Sequence, residues 1–327
     1  MTTPLVEVEN AKLHYRVGSA ASAMLGLPSV VKAVDGISFR LNKGESVGLL
    51  GESGCGKTSI GRLLVRLEEI TGGSARFDGD EISSLKGADL RRFRSRSQMI
   101  FQNPFDAVNP RYSIAKTMAE PLGNAGIPES DWQARIIKAL DLVRLAEPRQ
   151  YLDRFPHQLS GGQLQRVVMA RALILEPDFV VADEPVSMLD VSVRAGVLNV
   201  FREVRDKLGL TAIYISHDLA LVRYVCERTI VMYLGRIMED GPTEDIVRDP
   251  LHPYTQALVA AVPTPKADQS HDPLPIGRGA PDPRNPPSGC VFRDRCPKAF
   301  NRCVSQVPLP QNVGTRQVAC HLFDGQS

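Results

Sequence analysis

The stretch GESGCGKTS, residues 51–59, follows the apolar run ESVGLL and continues into the amphipathic run TSIGRLLVRLEE. It fits the pattern G-x-x-x-x-G-K-[ST] placed between a strand and a helix. Gly51, Gly54 and Gly56 permit a turn whose backbone N–H groups face phosphate oxygens, and the helix N-terminus adds partial positive charge. The alternative, a glycine-rich turn that binds nothing, fits this strand–helix context less well. The stretch predicts an α/β fold built around a phosphate-binding loop.

The side chains of this loop have separate expected tasks. We expect Lys57 to reach the β- and γ-phosphates of ATP and Thr58 to offer its hydroxyl to Mg²⁺. The remaining expected ATP contacts are the loop positions Ser53, Cys55 and Ser59. A nearby helix N-terminus is also a reason to expect a lowered pKa for the Cys55 thiol.

Two adjacent carboxylates end the apolar run FVVADEP, residues 179–185. Asp183 falls where parallel sheets place groups that contact ligands, so we expect it to hold Mg²⁺ directly or through water. Glu184, one residue later, can polarise the attacking water. Ordinary solvated charge is the alternative, and it is weakened by the phosphate loop elsewhere in the chain.

The segment LSGGQ, residues 159–163, precedes the helical run LQRVVMARALI. Ser160 can cap that helix, and the two glycines allow a close approach to an anion. Taken alone, the segment is typical of a simple helix N-cap. Its position shortly before the Asp183 strand favours a role at a phosphate.

Length and composition set outer limits on the function. The chain has 327 residues, 43% of them hydrophobic and 23% charged, which suits one large α/β domain with an appendage, or two domains. A net charge of +2 gives no support for a nucleic-acid partner. The N-terminus lacks the pattern of a secretory signal, and no apolar run reaches the roughly 18 residues that span a bilayer. A role at a membrane would therefore need partner subunits.

The rest of the chain alternates strands and helices. Short strands and glycine-rich turns fill residues 1–100, with a small-residue loop predicted between Tyr15 and Val31. A helical region follows at 105–160, and then come the strand candidates FVVAD, TAIYISH and TIVMYL, the first two separated by the helix VRAGVLNVFREVRDKL. This order predicts a parallel sheet flanked by helices. The Pro-rich stretch 263–287 is typical of a linker or extended arm.

Taken together, the motifs resemble those of ABC-transporter nucleotide-binding subunits over roughly residues 5–262. The matching set is GESGCGKTS, Gln102 in MIFQNP, LSGGQ, FVVADE, SMLD and His217 in YISHD. The resemblance implies a P-loop NTPase (RecA-like) core with an antiparallel β-subdomain and a helical subdomain at about 103–165. It also implies a nucleotide-binding domain at 1–250 and a C-terminal extension at 251–327 that carries a cysteine cluster.

The resemblance also implies roles for single residues around ATP. Tyr15 corresponds to the aromatic residue that stacks on adenine. Gln102 corresponds to the glutamine that touches Mg²⁺ and water, and His217 to the histidine at the γ-phosphate. With Glu184, these two form the expected catalytic set. A satisfied core histidine is the usual alternative for a lone His at a strand end.

A second set of residues is implied to act on a neighbouring subunit. Ser160, Gly162 and Gln163 correspond to the signature that clamps the γ-phosphate bound to the opposite subunit. Asp190 corresponds to an aspartate at the dimer interface, although Met188 stands where the family more often has alanine. Two ATPase subunits would then enclose two ATP molecules head to tail.

Longer phrases resemble one branch, the oligopeptide/dipeptide/nickel permease ATPases. They are NPFDAVNPRYSI, HPYTQALVAAVP and the tail spacing C-x5-C-x6-C-x16-C, and the long stretch before KAVDGISF resembles the second, "F"-type ATPase of a pair. This implies a second ATPase subunit, two membrane permease subunits and an extracytoplasmic solute-binding protein, with the chain at the cytoplasmic face of the membrane.

The expected activity is ATP hydrolysis that powers import of peptides or related small solutes. Import of nickel, sugars or opines by the same ATPase type is an alternative, as is an ABC ATPase without a membrane partner. A non-enzymatic regulatory subunit is a further alternative, and the presence of Glu184 and His217 argues against it.

Four cysteines lie in the tail: Cys290, Cys296, Cys303 and Cys320. Disulfides are disfavoured in a chain without a secretory signal. Zinc sites usually contain C-x2-4-C pairs, which this spacing lacks, whereas iron–sulfur clusters tolerate wider spacing. The resemblance to dipeptide-type ATPases adds a [4Fe-4S] cluster as the expected group on these four residues, with Zn²⁺ as the alternative.

Overall fold

The computed structural model describes residues 3–17, 29–262 and 282–325. The core of the predicted loop between Tyr15 and Val31 lies outside these residues, as does most of the predicted linker 263–287. Residues 282–287, the described end of that linker, contain turns and bends.

A mixed sheet of eight strands forms the centre of the molecule. Its five parallel strands, in spatial order, are β9 (Arg228–Tyr233), β3 (Ser46–Leu50), β8 (Thr211–Ser216), β7 (Phe179–Asp183) and β6 (Ser97–Ile100). Strand β10 (Arg236–Pro242) pairs antiparallel with β9. Strands β12 (Arg316–Val318) and β11 (Gln311–Val313) extend the same sheet beyond β10.

The strands next to the phosphate loop are buried on both faces. Within β7, Val180 and Ala182 join one buried cluster while Phe179 and Val181 join the other. This explains why FVVAD is a continuous apolar run: strands covered on both sides have no polar face. The predicted α/β fold is confirmed.

A second sheet of four antiparallel strands packs beside the phosphate-loop helix. Its spatial order is β2 (Ser29–Leu41), β1 (Val6–Val17), β4 (Gly72–Phe77) and β5 (Asp80–Glu81). The register of β1 and β2 places Tyr15 opposite Val31. The predicted antiparallel β-region is therefore present, and its outer end lies close to the phosphate loop.

The described helices surround the central sheet. They are α1 (Lys57–Leu64), α2 (Gly87–Arg96), α3 (Ile114–Asn124), α4 (Trp132–Leu142), α5 (Gly161–Leu173), α6 (Val191–Leu208), α7 (Leu219–Val225), α8 (Thr243–Arg248), α9 (Pro253–Ala260) and α10 (Asn301–Ser305). Short 3₁₀ turns occupy Ile82–Ser84, Glu129–Asp131, Pro148–Tyr151, Pro156–Gln158 and His321–Phe323. Helices α3, α4 and α5 pack together around Ile114, Met118, Leu140 and Leu164, all fully buried. No helix in the described ranges has both the length and the apolar character needed to cross a bilayer.

The described residues of the predicted C-terminal extension, 251–262 and 282–325, pack directly on the central sheet. Its strand β12 pairs with β10 through Glu239 opposite Val318 and Asp240 opposite Gln317. Cys290 and Phe292 are buried in the cluster that covers one face of the central sheet. The predicted division at residue 250 remains a prediction, since the same core continues across it.

Candidate functional site

The phosphate loop connects the end of β3 to the start of α1. Gly56 precedes α1 with φ +103°, and a Cβ there would collide with the carbonyl oxygen of Ala33 on β2. Only glycine allows both this backbone conformation and this close approach. The ammonium of Lys57 is buried and donates to the carbonyls of Gly51 (2.7 Å) and Glu52 (2.8 Å). The lysine thus folds back over the first residues of the loop.

A hydroxyl and a carboxylate meet at the start of α1. Thr58 Oγ1 donates to Asp183 Oδ1 across 3.1 Å. Burial raises the pKa of the Asp183 carboxyl, and the hydrogen bond from Thr58 acts in the opposite direction. The Thr58 hydroxyl and the buried Asp183 carboxylate are two adjacent hard oxygen ligands of the kind that Mg²⁺ prefers.

Glu184 occupies a central position among polar groups that end neighbouring strands. Its carboxylate accepts from Gln102 Nε2 at 3.1 Å and lies 2.9 Å from His217 Nδ1. Its backbone has φ +45°, and its N–H donates to Ile215 O at 2.9 Å. A left-handed non-glycine residue is uncommon and occurs often at functional sites. Here the local backbone and two side chains together fix the direction of the carboxylate.

The loop and these polar groups border one cavity of about 780 Å³, within the usual size range of ligand pockets. Its described lining is Tyr15, Val31, Ala33, Glu52, Ser53, Gly54, Gly56, Lys57, Thr58, Ser59, Gln102, Glu184, His217 and Pro283. The structure therefore brings together most of the residues predicted to contact ATP. Gly51, Cys55 and Asp183 are outside this lining set, and all three are buried.

One expectation about the loop is wrong. Burial raises the pKa of the Cys55 thiol, and the nearby Lys57 ammonium, 3.7 Å from the sulfur, only partly offsets this. The sequence suggested the opposite direction because it showed the helix N-terminus but not the burial of the side chain.

Four residues of the lining were not singled out from the sequence: Val31, Ala33, Glu52 and Pro283. Val31 and Ala33 alternate along β2 and so share one face, a signal that strand periodicity could have given. Glu52 occupies a variable position of the pattern G-x-x-x-x-G-K-[ST], which assigns no role to its side chain. Pro283 had no local signal, since it lies within the Pro-rich stretch 263–287, which has no periodicity.

The second set of predicted residues lies away from this cavity. Ser160 caps α5: its hydroxyl accepts from Gln163 N at 3.3 Å, and Gln163 Oε1 accepts from Ser160 N at 3.0 Å. A Cβ at Gly162 would press against Val193 of α6. Asp190 precedes α6, and both Ser160 and Asp190 are exposed. Gly162 and Gln163 are half-buried, and none of these four residues belongs to the lining of their own chain's cavity.

The four tail cysteines converge in one region. Burial raises the pKa of Cys290, Cys296 and Cys320, to about 12 for Cys320, with smaller contributions from neighbouring cysteine side chains. Cys290 N donates to Cys303 O at 2.9 Å, and all four thiols are free. Within the described part of the chain, no group of three or more His, Cys, Asp or Glu side chains is arranged to hold a metal ion. The predicted cluster ligands thus remain a prediction.

Two family models match the chain. Residues 34–187 match the model described as ABC transporter. Residues 238–303 match the model of the oligopeptide/dipeptide transporter C-terminal region. The second match includes most of β10, all of α8 and α9, the first three residues of α10, and three of the four tail cysteines.

Curated relatives match almost the whole chain. The "Putative peptide import ATP-binding protein" of Brucella ovis is 48% identical over 95% of this chain and 95% of its own length. The "Putative oligopeptide transport ATP-binding protein YkfD" of Bacillus subtilis is 40% identical over 98% and 96%. The dipeptide transport ATP-binding protein DppF of Escherichia coli is 39% identical over 98% and 95%.

Solved structures share the fold at lower identity. The ATP-binding cassette MJ0796, in a dimeric post-hydrolysis state bound to ADP and Pi, superimposes with a TM-score of 0.63 at 24% identity. That match covers 73% of this chain and 98% of the cassette. The cbiO1 protein of Clostridium perfringens gives the same TM-score and identity over 75% of this chain and 91% of its own.

Proposed function

The chain belongs to the ABC transporter family of ATP-binding proteins and is an ATPase, and we propose that it powers the import of peptides. One observation carries the proposal. Lys57, Glu184 and His217, to which we assign phosphate binding and catalysis, line one cavity in a chain whose residues 238–303 match the oligopeptide/dipeptide transporter C-terminal region. Import of nickel, sugars or opines is the alternative that shares this ATPase type.

The phosphates of ATP would be held by the loop. Backbone N–H groups of Ser53 to Thr58 and the Lys57 ammonium are the positive partners, and Tyr15 would stack on adenine at the far side of the cavity. Thr58 and Gln102, with Asp183, would hold Mg²⁺. When bound, Mg²⁺ supplies charge neutralisation at the β- and γ-phosphates.

Glu184 is the residue we assign to the attacking water. Its carboxylate is held from two sides by Gln102 and His217, so it can orient a water and accept its proton without moving. His217, whose side chain is 61% exposed, would also reach the γ-phosphate. In this assignment Gln102 and His217 are catalytic because they touch the water or the phosphate as well as Glu184.

The position of the signature residues outside their own chain's cavity supports action as a head-to-tail dimer. Ser160, Gly162, Gln163 and Asp190 are not part of the lining of their own chain's cavity, so their phosphate would be the one bound by a second ATPase subunit. That partner would be the other ATPase of an importer with two membrane permease subunits and an extracytoplasmic solute-binding protein.

We place the chain at the cytoplasmic face of the membrane, held there by the permease subunits. Exposed Phe105, in the segment 103–111, offers an apolar contact for them.

For the extension at 251–327, we propose that Cys290, Cys296, Cys303 and Cys320 bind a [4Fe-4S] cluster, with Zn²⁺ as the alternative. Four thiols in one region match such a cluster in donor number and softness. Iron, sulfide and zinc analysis of anaerobically purified protein tests this. Cys290→Ser should lose the iron while Cys226→Ser, a buried cysteine outside the set, should keep it. Stoichiometric zinc without iron would replace the cluster by the alternative.

The import function is tested by reconstituting the chain with its partner subunits in lipid vesicles. Phosphate release should rise when the binding protein is loaded with a peptide, and labelled peptide should accumulate only with ATP. Stimulation by nickel, a sugar or an opine instead of a peptide would assign the chain to another importer. Absence of ATP hydrolysis with every solute would refute the proposal as a whole.

A further inference from the structure

Glu52, the second residue of the phosphate loop, is bound by two residues of the C-terminal extension. Its carboxylate accepts two hydrogen bonds from Arg295, at 2.8 Å from Nη1 and 3.0 Å from Nη2. Its backbone N–H donates to the hydroxyl of Tyr254 at 2.9 Å. The extension therefore holds one loop residue by both its side chain and its backbone.

The position of the Arg295 side chain is also fixed by packing against aromatic rings. Its guanidinium lies 5.6 Å from the ring centre of Tyr233 and 6.0 Å from that of Phe292, and its side chain is only 15% exposed. The pKa of Arg295 is raised, chiefly by its hydrogen bonds to Glu52. A planar guanidinium that stacks on aromatic rings and binds a carboxylate with two donors loses little freedom on pairing. This is a built contact, unlike a flexible surface ion pair.

The segment HPYTQAL places the Tyr254 hydroxyl at the phosphate loop. The imidazole of His252 accepts from Tyr254 N at 3.0 Å and so caps α9. The Tyr254 ring is fully buried against Tyr233 and Phe292, with ring centres 4.8 and 5.3 Å away. This packing leaves the hydroxyl pointing at the loop, where it accepts the Glu52 N–H.

Two consequences for ATP follow from these contacts. The Glu52 carbonyl accepts from the Lys57 ammonium, so fixing Glu52 also fixes the lysine that is expected to meet the phosphates. Glu52 also lines the cavity, and an unpaired carboxylate there would repel the phosphates of ATP. The Arg295 guanidinium cancels that charge from the side of the extension.

We propose that Arg295 and Tyr254 are positioning residues through which the C-terminal extension sets the nucleotide affinity of the phosphate loop. Arg295 neutralises and orients Glu52, and Tyr254 fixes the backbone of Glu52. Neither residue touches the attacking water, so binding of nucleotide should change more than the chemical step. The inference rests on the proposed function only in taking ATP as the ligand.

The test is titration of the purified full-length chain with a fluorescent ATP analogue and Mg²⁺. Arg295→Ala should weaken binding about tenfold, because it leaves a like charge beside the phosphates. In the double variant Glu52→Gln/Arg295→Ala, affinity should return to within about twofold of wild type, since the repelling charge is gone. Arg302→Ala is the matched control: this arginine pairs with Asp324 inside the extension and should leave affinity unchanged.

Further measurements separate positioning from simple loss of fold. In the assembled transporter, Arg295→Ala should raise KM for ATP while kcat stays within about twofold. Tyr254→Phe should weaken binding by a smaller factor. If Arg295→Ala fails to fold, Glu52→Gln alone decides: it should bind ATP at least as tightly as wild type, and weaker binding would overturn the charge argument.

The outcomes are distinguishable from failure of the proposed function. If the wild-type chain binds no ATP analogue, the ATPase assignment falls. If the wild type binds and Arg295→Ala binds equally well, only the role of Arg295 falls. Equal weakening in Arg295→Ala and in the double variant would also overturn it, because removal of the Glu52 charge would then have no effect.

Discussion

The nucleotide cavity and the C-terminal extension are both built from residues that are distant in the sequence. Different interactions bring these residues together in the two regions. In the cavity, Glu184 follows β7, His217 follows β8, and Lys57 lies one loop beyond β3. These three strands are neighbours in a parallel sheet, so backbone ladders bring the side chains together.

The extension depends much more on its side chains. Among its described residues, β11 and β12 are three residues long and α10 is five. His321 lies 2.9 Å from both Asp324 Oδ2 and Gln306 O, and Arg316 reaches Glu239 of β10. The difference teaches where a substitution should act. In the cavity it should change chemistry and spare the fold, and in the extension, apart from the contacts of Arg295 and Tyr254 with Glu52, it should change stability.

The largest effect is expected inside the cavity. Glu184→Gln keeps the shape of the side chain but removes the proton acceptor, so turnover in the assembled complex should fall by a factor of about 100 or more. ATP affinity and thermal stability should stay near wild type. Steady-state phosphate release measures turnover, ATP-analogue titration measures affinity, and thermal denaturation measures stability.

The control is Glu176→Gln, at an exposed carboxylate paired with Lys138 far from the motif residues, which should keep full turnover. Wild-type turnover in Glu184→Gln would refute the assigned role. A large loss of stability in that variant would break the contrast between the two regions.

A large stability effect is expected at the junction with the extension. Glu239 is completely buried, and its carboxylate accepts from the N–H groups of Leu251 (3.1 Å) and His252 (2.9 Å). Glu239→Ala would leave the Leu251 and His252 N–H groups without their acceptor and would remove one partner of the Arg316 guanidinium, at a cost of about 3 kcal/mol of unfolding free energy. Urea denaturation measures it. Glu244→Ala, at an exposed carboxylate, is the control and should change the free energy of unfolding much less.

The same contrast explains how much could be predicted from the sequence. The roles of Lys57, Thr58, Asp183 and Glu184 follow from a short motif and from strand ends, because parallel strands bring their carboxyl ends to one edge. The pairing of Glu52 with Arg295 joins residues 243 positions apart. Glu52 is a variable position of the phosphate loop, and Arg295 lies in a segment with no periodicity. No local rule connects them. The cysteine set could be recognised from its spacing, but its arrangement depends on packing that the spacing does not encode.

A smaller effect is expected from the pH response of His252. Burial lowers the pKa of this imidazole to about 3, whereas an unfolded histidine titrates near 6.5. Between these values the unfolded chain binds a proton that the folded chain does not, so stability is present above 6.5 and is lost as pH falls. At about pH 5 the loss should reach about 2 kcal/mol.

The variant that isolates this effect is His252→Asn, which can still cap α9 but does not titrate. Urea denaturation at about pH 7.5 and about pH 5 should show a pH response smaller by about 2 kcal/mol in the variant. The raised pKa values of Glu239 and Asp183 act in the opposite direction in both proteins, so they cancel in this comparison. An identical pH response in the two proteins would show that His252 gains access to solvent in the folded state.

The smallest expected effect, close to none, concerns Cys55. The thiolate is the reactive form of cysteine, and burial of Cys55 raises its thiol pKa despite the neighbouring Lys57 ammonium. The time course of inactivation by N-ethylmaleimide should therefore be the same for wild type and Cys55→Ala, with or without ATP. Faster inactivation of the wild type, slowed by ATP, would show that the loop opens far enough to expose the sulfur. The structure of the cavity would then depend on the side-chain contacts of Arg295 and Tyr254 as well as on its strands. The interactions that hold the two regions would in that case differ less than their backbones indicate.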